Sequence, residues 1–193
     1  MRVISGKFKG KKLFAPEDNR VRPTTDRIKE TLFNILSSKG LCGDITALDL
    51  FGGSGALGIE AMSRGAKKTV FIDKDYRSVS LIKTNLAHVG ASAADYEIYN
   101  VDFAFALKKL KDKRFDVIFA DPPYAAGLES AIAETVCKFN VLSKHGVLVI
   151  EHSADVDFVC EDYDEDKRVC GNTVLSFLSL KNATYEEEVK HNE

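Results

Sequence analysis

The stretch Asp49-Leu50-Phe51-Gly52-Gly53-Ser54-Gly55-Ala56-Leu57-Gly58 decides how the rest of the chain is read. It continues the short apolar run Ile45-Thr46-Ala47-Leu48, which reads as a strand, and it passes into a helical segment over 55–64. Glycines between a strand and a helix permit a tight turn and let a ligand approach the backbone closely. Such a unit opens an α/β sheet whose ligand crevice lies at the carboxyl ends of the strands.

Downstream the alternation repeats. Strands are expected at 69–72, 96–99, 115–120 and 146–150, with helices at about 76–88, 103–110 and 128–139 between them. Repeated strand–helix alternation implies a parallel sheet covered by helices on both faces. The ending breaks the rhythm. No long helix follows Ile150, and strand candidates near 167–170 and at 173–180 flank the hairpin signal Gly171-Asn172. Upstream, residues 1–5 and 11–14 read as a short hairpin around Gly6 and Gly10, and 15–23 as a loop with a proline near each end. Thr24 or Thr25 then caps a helix whose apolar face carries Ile28, Thr31, Leu32, Ile35 and Leu36.

Composition bounds the function classes. With 193 residues, 45% hydrophobic and 29% charged, the chain has the balance of a soluble globular domain with a small appendage. No apolar run approaches the roughly 20 residues needed to span a bilayer. Met1-Arg2-Val3-Ile4-Ser5-Gly6-Lys7 lacks the apolar core of a signal peptide, so a cytoplasmic location is expected. The four cysteines, Cys42, Cys137, Cys160 and Cys170, are widely spaced without a C-x-x-C pair, so neither a metal site nor a disulfide framework is expected. Residues 1–30 carry nine basic and four acidic side chains, a net +5, while the remainder carries -7. A basic start on an acidic body fits an anionic partner such as a nucleic-acid backbone, or equally a solvated lysine-rich hairpin.

Acids recur just past the expected strands. Asp49 would stand inside the crevice, where a carboxylate suits a ligand bearing an ammonium group better than a pyrophosphate. Asp73, 18 residues after Gly55, can accept hydrogen bonds from both hydroxyls of a ribose. Its neighbour Asp75 reads as a helix N-cap. Asp102 reads as an N-cap for the helix from 103 and Phe103 as a packing residue, with a ligand role for either left open at this point. Gly53 to Gly58 also satisfies G-x-G-x-x-G, which by itself is a weak pointer to nicotinamide cofactors.

Asp121-Pro122-Pro123-Tyr124 follows the fourth strand and carries the most chemistry. Both prolines have φ fixed at about -65° and lack an N–H. The loop is therefore a stiff acceptor array, made of the Asp121 carboxylate and the Pro122 carbonyl. An exocyclic amine offers two N–H donors to such an array. Gripping both aims the nitrogen lone pair, which is otherwise delocalised into the base, at an incoming carbon. Tyr124 offers a flat face for stacking.

The Asp-x-Phe-x-Gly-x-Gly pattern at 49–55 resembles the first motif of S-adenosylmethionine-dependent methyltransferases, and 121–124 resembles the Asp/Asn-Pro-Pro-Tyr motif of those that act on amino groups. With Gly6-Lys7-Phe8-Lys9-Gly10-Lys11-Lys12-Leu13 and the run Arg22-Pro23-Thr24-Thr25-Asp26-Arg27, nearly the whole chain resembles the RsmD-type bacterial 16S rRNA (guanine-N2) methyltransferases. The resemblance implies a Rossmann-like class I methyltransferase: a central seven-stranded, mostly parallel sheet ending in an antiparallel hairpin. It implies three regions, an RNA-contacting extension at 1–40, an S-adenosylmethionine-binding catalytic domain at 41–182 and an acidic tail at 183–193.

The implied activity is methylation of the exocyclic N2 of one guanine, guanine 966 in the family, in 16S ribosomal RNA, on the small subunit or an assembly intermediate. Catalytic roles fall to Asp121, Pro122, Pro123 and Tyr124. Cofactor contacts fall to Asp49, Phe51, Gly52, Gly53, Ser54, Gly55, Asp73, Asp102, Phe103 and Thr24. RNA contacts fall to Arg22, Arg27, Lys7, Lys9, Lys11 and Lys12. Two rivals stay open at this point: an adenine-N6 methyltransferase, which the tetrapeptide permits, and a non-catalytic ribosome-assembly RNA binder. Glu151 and His152 are left without a role.

Overall fold

The computed structural model describes residues 1–16, 26–123 and 127–181. Its centre is a seven-stranded sheet built from β1 (Thr46–Asp49), β2 (Lys68–Ile72), β3 (Tyr96–Tyr99), β4 (Phe115–Ala120), β5 (Leu142–Ser153), β6 (Tyr163–Cys170) and β7 (Thr173–Leu180). The spatial order is β3-β2-β1-β4-β5-β7-β6. The first five strands run parallel, and β7 is antiparallel to both of its neighbours. This is the Rossmann-like class I methyltransferase arrangement expected from the sequence.

Among the described residues, five α-helices cover the sheet: α1 (Asp26–Ser38), α2 (Ala56–Ser63), α3 (Tyr76–Val89), α4 (Phe103–Lys109) and α5 (Glu129–Lys138). Strand alternation divides the core. Leu48, Ile118, Ala120, Leu148 and Ile150 pack with Leu107, Ile132 and Val136 on the face of α4 and α5. Ala47, Val117, Phe119 and Val149 pack with Ile28, Leu32, Phe33 and Leu36 of α1 and Leu57 of α2. Parallel strands buried on both faces have no polar side to expose, which is why β4 reads Phe-Asp-Val-Ile-Phe-Ala.

All eight residues of α2 are buried. A helix apolar all round needs cover on two sides. One side rests on the sheet and α1. The other meets Val3, Phe8 and Leu13 of the N-terminal segment, together with Ile82, Leu86 and Val89 of α3. The N-terminal segment is joined by a single ladder pair, Arg2 with Lys12, flanked by Val3 N–H to the Lys11 carbonyl and Leu13 N–H to the Met1 carbonyl. It is less regular than a hairpin of two full strands: its turn closes through the Lys9 N–H to the Gly6 carbonyl and the Lys11 N–H to the Phe8 carbonyl, and it is fastened to α2 as well. Lys7 N–H donates to the Ser63 carbonyl, and Phe8 N–H donates to Ser63 Oγ.

Two strands are longer than expected. β5 begins four residues early at Leu142, with an irregular register opposite 115–117, where Ser143 Oγ bonds the Phe115 carbonyl and the Asp116 carboxylate. β6 begins at Tyr163. As the sheet's edge it needs no apolar face, so its acidic sequence pairs with β7 along its whole length. Among the described residues no helix is long and apolar enough to cross a membrane.

Candidate active site

The glycine turn leaves β1 at the carboxyl edge of the sheet. Gly55 caps α2 in the left-handed region at φ 79°, a conformation that costs glycine nothing. Gly53 is likewise left-handed, at φ 54°, and a Cβ there would meet only the Phe51 carbonyl, at 3.8 Å. The turn is therefore open for close approach at Gly53, while Gly52 and Gly55 pack against Ile82.

Acids frame this turn. Asp49 ends β1 with 2% of its surface exposed, and its Oδ2 accepts the Gly58 N–H at 3.1 Å. Burial pushes its carboxyl up to about 7, opposed by the Gly58 bond and reinforced by the charge of Asp73. Asp73 follows β2. Its Oδ2 accepts the Gly53 N–H at 2.9 Å and its Oδ1 the Asp75 N–H at 2.8 Å. A carboxylate has about four acceptor sites, so both oxygens retain capacity toward a ligand. Asp75 caps α3 by accepting the Arg77 N–H, as its sequence position implied. Asp102 caps α4 through the Ala104 N–H at 2.9 Å, using one oxygen and leaving the side chain exposed. Phe51 and Phe103 face each other at 5.5 Å between ring centroids, both half-buried, and both pack on the core beneath α4 and α5.

β1 and β4 are direct neighbours. Asp49 is in register with Phe119, and the Leu50 N–H donates to the Phe119 carbonyl at 2.9 Å. The residues that follow each strand, Phe51 of the glycine turn and Asp121 of the proline loop, therefore leave adjacent strands, about 4.8 Å apart in a sheet. Asp121 is half-buried, Pro122 buried and Pro123 exposed. Tyr124 lies outside the described residues, as do Arg22 and Thr24. Ala120 is in register with Ile150, which brings the buried Glu151 to the same edge.

His152 has a structural setting. It is buried, with Nε2 2.9 Å from Ser176 Oγ, Nδ1 2.9 Å from the Ser153 carbonyl and its ring edge-on to Phe158. Lys7, Lys9, Lys11 and Lys12 are all exposed. Lys7 pairs with Asp95 at 3.6 Å, and Lys11 donates to the Val89 carbonyl at 2.8 Å. Arg27 is exposed on the first turn of α1.

Two buried polar groups near the turn carry no signal in a motif reading. Asn85 of α3 accepts the Phe14 N–H at 2.8 Å and donates to the Phe14 and Ser54 carbonyls at 3.1 and 2.8 Å. It thereby ties the exit of the N-terminal segment to the glycine turn. Glu60 of α2 accepts the N–H groups of Ile4 and Ser5 and the Nε of Arg64, with Lys29 Nζ 3.7 Å away. A polar residue among apolar helix positions was the available sign in each case: Asn85 beside Leu86 in α3, Glu60 between Ile59 and Ala61 in α2.

The chain matches the family model described as conserved hypothetical protein 95 over residues 1–178. It is 41% identical to ribosomal RNA small subunit methyltransferase D of Escherichia coli, across 78% of this chain and 71% of that one. It is 36% identical to the protein of the same name in Haemophilus influenzae, across 80% of each. Among solved structures, a hypothetical protein of Thermus thermophilus superposes with a TM-score of 0.81 at 29% identity, covering 93% of this chain and 99% of that one. With a model match spanning nearly its whole length and relatives of this identity, the chain belongs to the conserved hypothetical protein 95 family, the family of the small-subunit ribosomal RNA methyltransferases D.

Proposed function

We propose that this protein transfers a methyl group from S-adenosylmethionine to the exocyclic N2 of a guanine in 16S ribosomal RNA, acting on the small subunit or an assembly intermediate. Family membership supports ribosomal RNA methylation and this cofactor. The observation that carries transfer to an amino group is the adjacency of the glycine turn after β1 and the Asp121 loop after β4, and the family points to guanine as its bearer.

The residues at the turn fit the cofactor. An open glycine surface, carboxylates at 49, 73 and 102, and the aromatic pair Phe51–Phe103 offer acceptors for ammonium, ribose hydroxyls and adenine amine, with a flat apolar wall. When bound, S-adenosylmethionine supplies a methyl carbon made electrophilic by a positively charged sulfur. Asp49 has a specific part in accepting that cation. Burial keeps it partly protonated near neutrality, and a nearby positive charge favours its ionised form. Gly52, Gly53, Ser54 and Gly55 line the approach and Asp73 receives the ribose, and the family resemblance gives Thr24 a cofactor contact as well.

Asp121 and the Pro122 carbonyl accept the two N–H groups of the amine and fix its lone pair in line with the methyl carbon. Positioning supplies the rate, because the loop cannot relax around its prolines and its acceptors favour the more tetrahedral nitrogen of the transition state. Asp121 takes the released proton. Pro123 stiffens the loop, and Tyr124 stacks on the base. Arg22, Arg27, Lys7, Lys9, Lys11 and Lys12 hold the RNA backbone, whose phosphates are a large share of such binding energy.

Mass spectrometry of ribosomal RNA nucleosides from cells lacking the protein tests this. One N2-methylguanosine should disappear, return with the wild-type gene and fail to return with Asp121→Ala. The Asp121→Ala protein should still bind S-adenosylmethionine in calorimetry. Wild-type turnover by that variant would remove Asp121 from its role, and loss of an N6-methyladenosine instead would replace guanine by adenine.

A further inference from the structure

The N-terminal segment and α3 form one face on which an aromatic side chain stands among basic groups. Phe14 is 51% exposed, and its ring contacts His88 of α3 edge-on at 5.1 Å. Its backbone is not loose. Asn85, itself fully buried, bonds both the N–H and the carbonyl of Phe14 and also holds the Ser54 carbonyl of the glycine turn. The exposed ring is thus held firmly, one side chain away from the turn. Lys11, with its ammonium on the Val89 carbonyl, and Lys12 flank it. From Tyr76 to Ala94 the chain holds no acid, and the acids bounding that stretch are engaged, Asp75 by Arg77 and Asp95 by Lys7; Glu17 and Asp18, three and four positions past Phe14, lie outside the described residues. The face is therefore positive, with a rigid aromatic at its centre.

We infer that Phe14 is a base-stacking platform: an unpaired RNA base beside the target nucleotide lies on its ring, while Lys11 and Lys12 hold the adjoining phosphates. Aromatic stacking with basic neighbours is how proteins grip single-stranded nucleic acid, since every base offers a π-face. A large aromatic side chain with half its surface in water on a fixed backbone leaves a ring face open to a partner, and the charge around it suits a polyanion rather than an apolar protein surface. This inference rests on the ribosomal RNA reading above, and it assigns to that substrate a second point of contact away from the proline loop.

The chain has no tryptophan, so Phe14→Trp introduces a single indole at the platform. A 16S RNA fragment carrying the target guanine should quench its emission at saturation. A Val159→Trp control, on an exposed residue between β5 and β6, should not respond. Phe14→Ala should weaken RNA binding about tenfold. It should raise KM for RNA while kcat and the affinity for S-adenosylmethionine stay as in the wild type, and Phe14→Tyr should restore KM.

Unchanged emission from Phe14→Trp in a mixture that methylates its RNA overturns the platform and leaves the enzyme reading intact. Emission that responds to assembled subunits but not to an RNA fragment that the same protein methylates assigns the face to a protein and also overturns it. Wild-type protein that neither binds S-adenosylmethionine nor methylates RNA overturns both readings.

Discussion

The carboxylate of Asp49 accepts the backbone N–H of Gly58 at 3.1 Å from a position almost wholly removed from water. That bond alone does not compensate the burial, and the carboxyl rises from an ordinary 3.8 to about 7. Without ligand, the folded protein holds a proton on Asp49 that the unfolded chain releases between these two values. Through Asp49, stability therefore falls as pH rises from about 4 to about 7 and is level outside that window. A cationic ligand needs the ionised form, so affinity should rise with pH up to about 7 and then level off. Calorimetric titration of S-adenosylmethionine at several pH values, in wild type and Asp49→Asn, checks this. The substitution should weaken binding and flatten the profile; an equally steep profile in the variant would assign the titration to another group.

Lys29 and Glu60 form an ion pair with no exposed side-chain surface, and the roles of the two partners differ. Lys29 donates to the Arg2 carbonyl at 2.5 Å. Burial lowers its pKa, with Glu60 opposing the fall. Glu60 serves four donors, including the Ile4 and Ser5 N–H groups. Glu60→Ala strands a buried ammonium and two backbone donors, and should cost on the order of 3–5 kcal/mol. Lys29→Met leaves Glu60 with three of its donors and a methionine of similar volume in the same space, and should cost less. Urea unfolding of both variants measures the difference; equal losses would mean that the pair acts only through its charge.

Gly6 sits at φ 82°, and a Cβ there would lie 1.7 Å from the Ser63 carbonyl oxygen. Gly6→Ala cannot keep the Lys7 N–H bond to that carbonyl, nor Ser63 Oγ on the Ser5 carbonyl. The N-terminal turn should lift from α2 while the sheet stays folded. Hydrogen exchange should show faster exchange of the amides of Lys7 and Phe8, little change in β1 or β4, and weakened RNA affinity. Exchange unchanged at those two amides would show that the turn accommodates the methyl group in place.

What the sequence made legible follows from where information is local. β4 is bounded at 115–120 in both readings because an apolar run stands between Arg114 and Asp121. The positions of Asp49, Asp73, Asp102 and Asp121 are readable because each ends or follows a strand at the carboxyl edge of the sheet. β6 was half missed because an edge strand's polar residues carry no burial pattern, and its pairing partner, β7, comes later in the chain. On α1 the expected face included Thr31 and Ile35, which are only half-buried, and passed over Lys29 and Phe33, which are buried. Lys29 is inside because residues 27 positions before it and 31 after it, Arg2 and Glu60, close over it. No window along α1 contains that fact. Asn85 and Glu60 act by joining distant backbone segments, so their roles emerge only once the N-terminal segment is laid on α2 and α3.

Asn85 offers the sharpest test of that joining. It uses one acceptor and two donor bonds, so each substitution breaks a definite part. Asn85→Ala leaves the Phe14 N–H and the Ser54 carbonyl buried without their partner, at about 1–3 kcal/mol each where water does not reach them. Asn85→Asp is nearly isosteric but keeps only the acceptor; as a carboxylate it opposes the carbonyls of Phe14 and Ser54 with like partial charge. The aspartate variant should therefore bind S-adenosylmethionine more weakly than the alanine variant at neutral pH. Measured against wild type at the same pH, it should recover at acid pH, where a protonated carboxyl can donate to one of the two carbonyls. Thermal melts and calorimetry across pH on the three proteins decide it. An aspartate variant that matches wild type at neutral pH would show that the amide's donor bonds do not hold the turn.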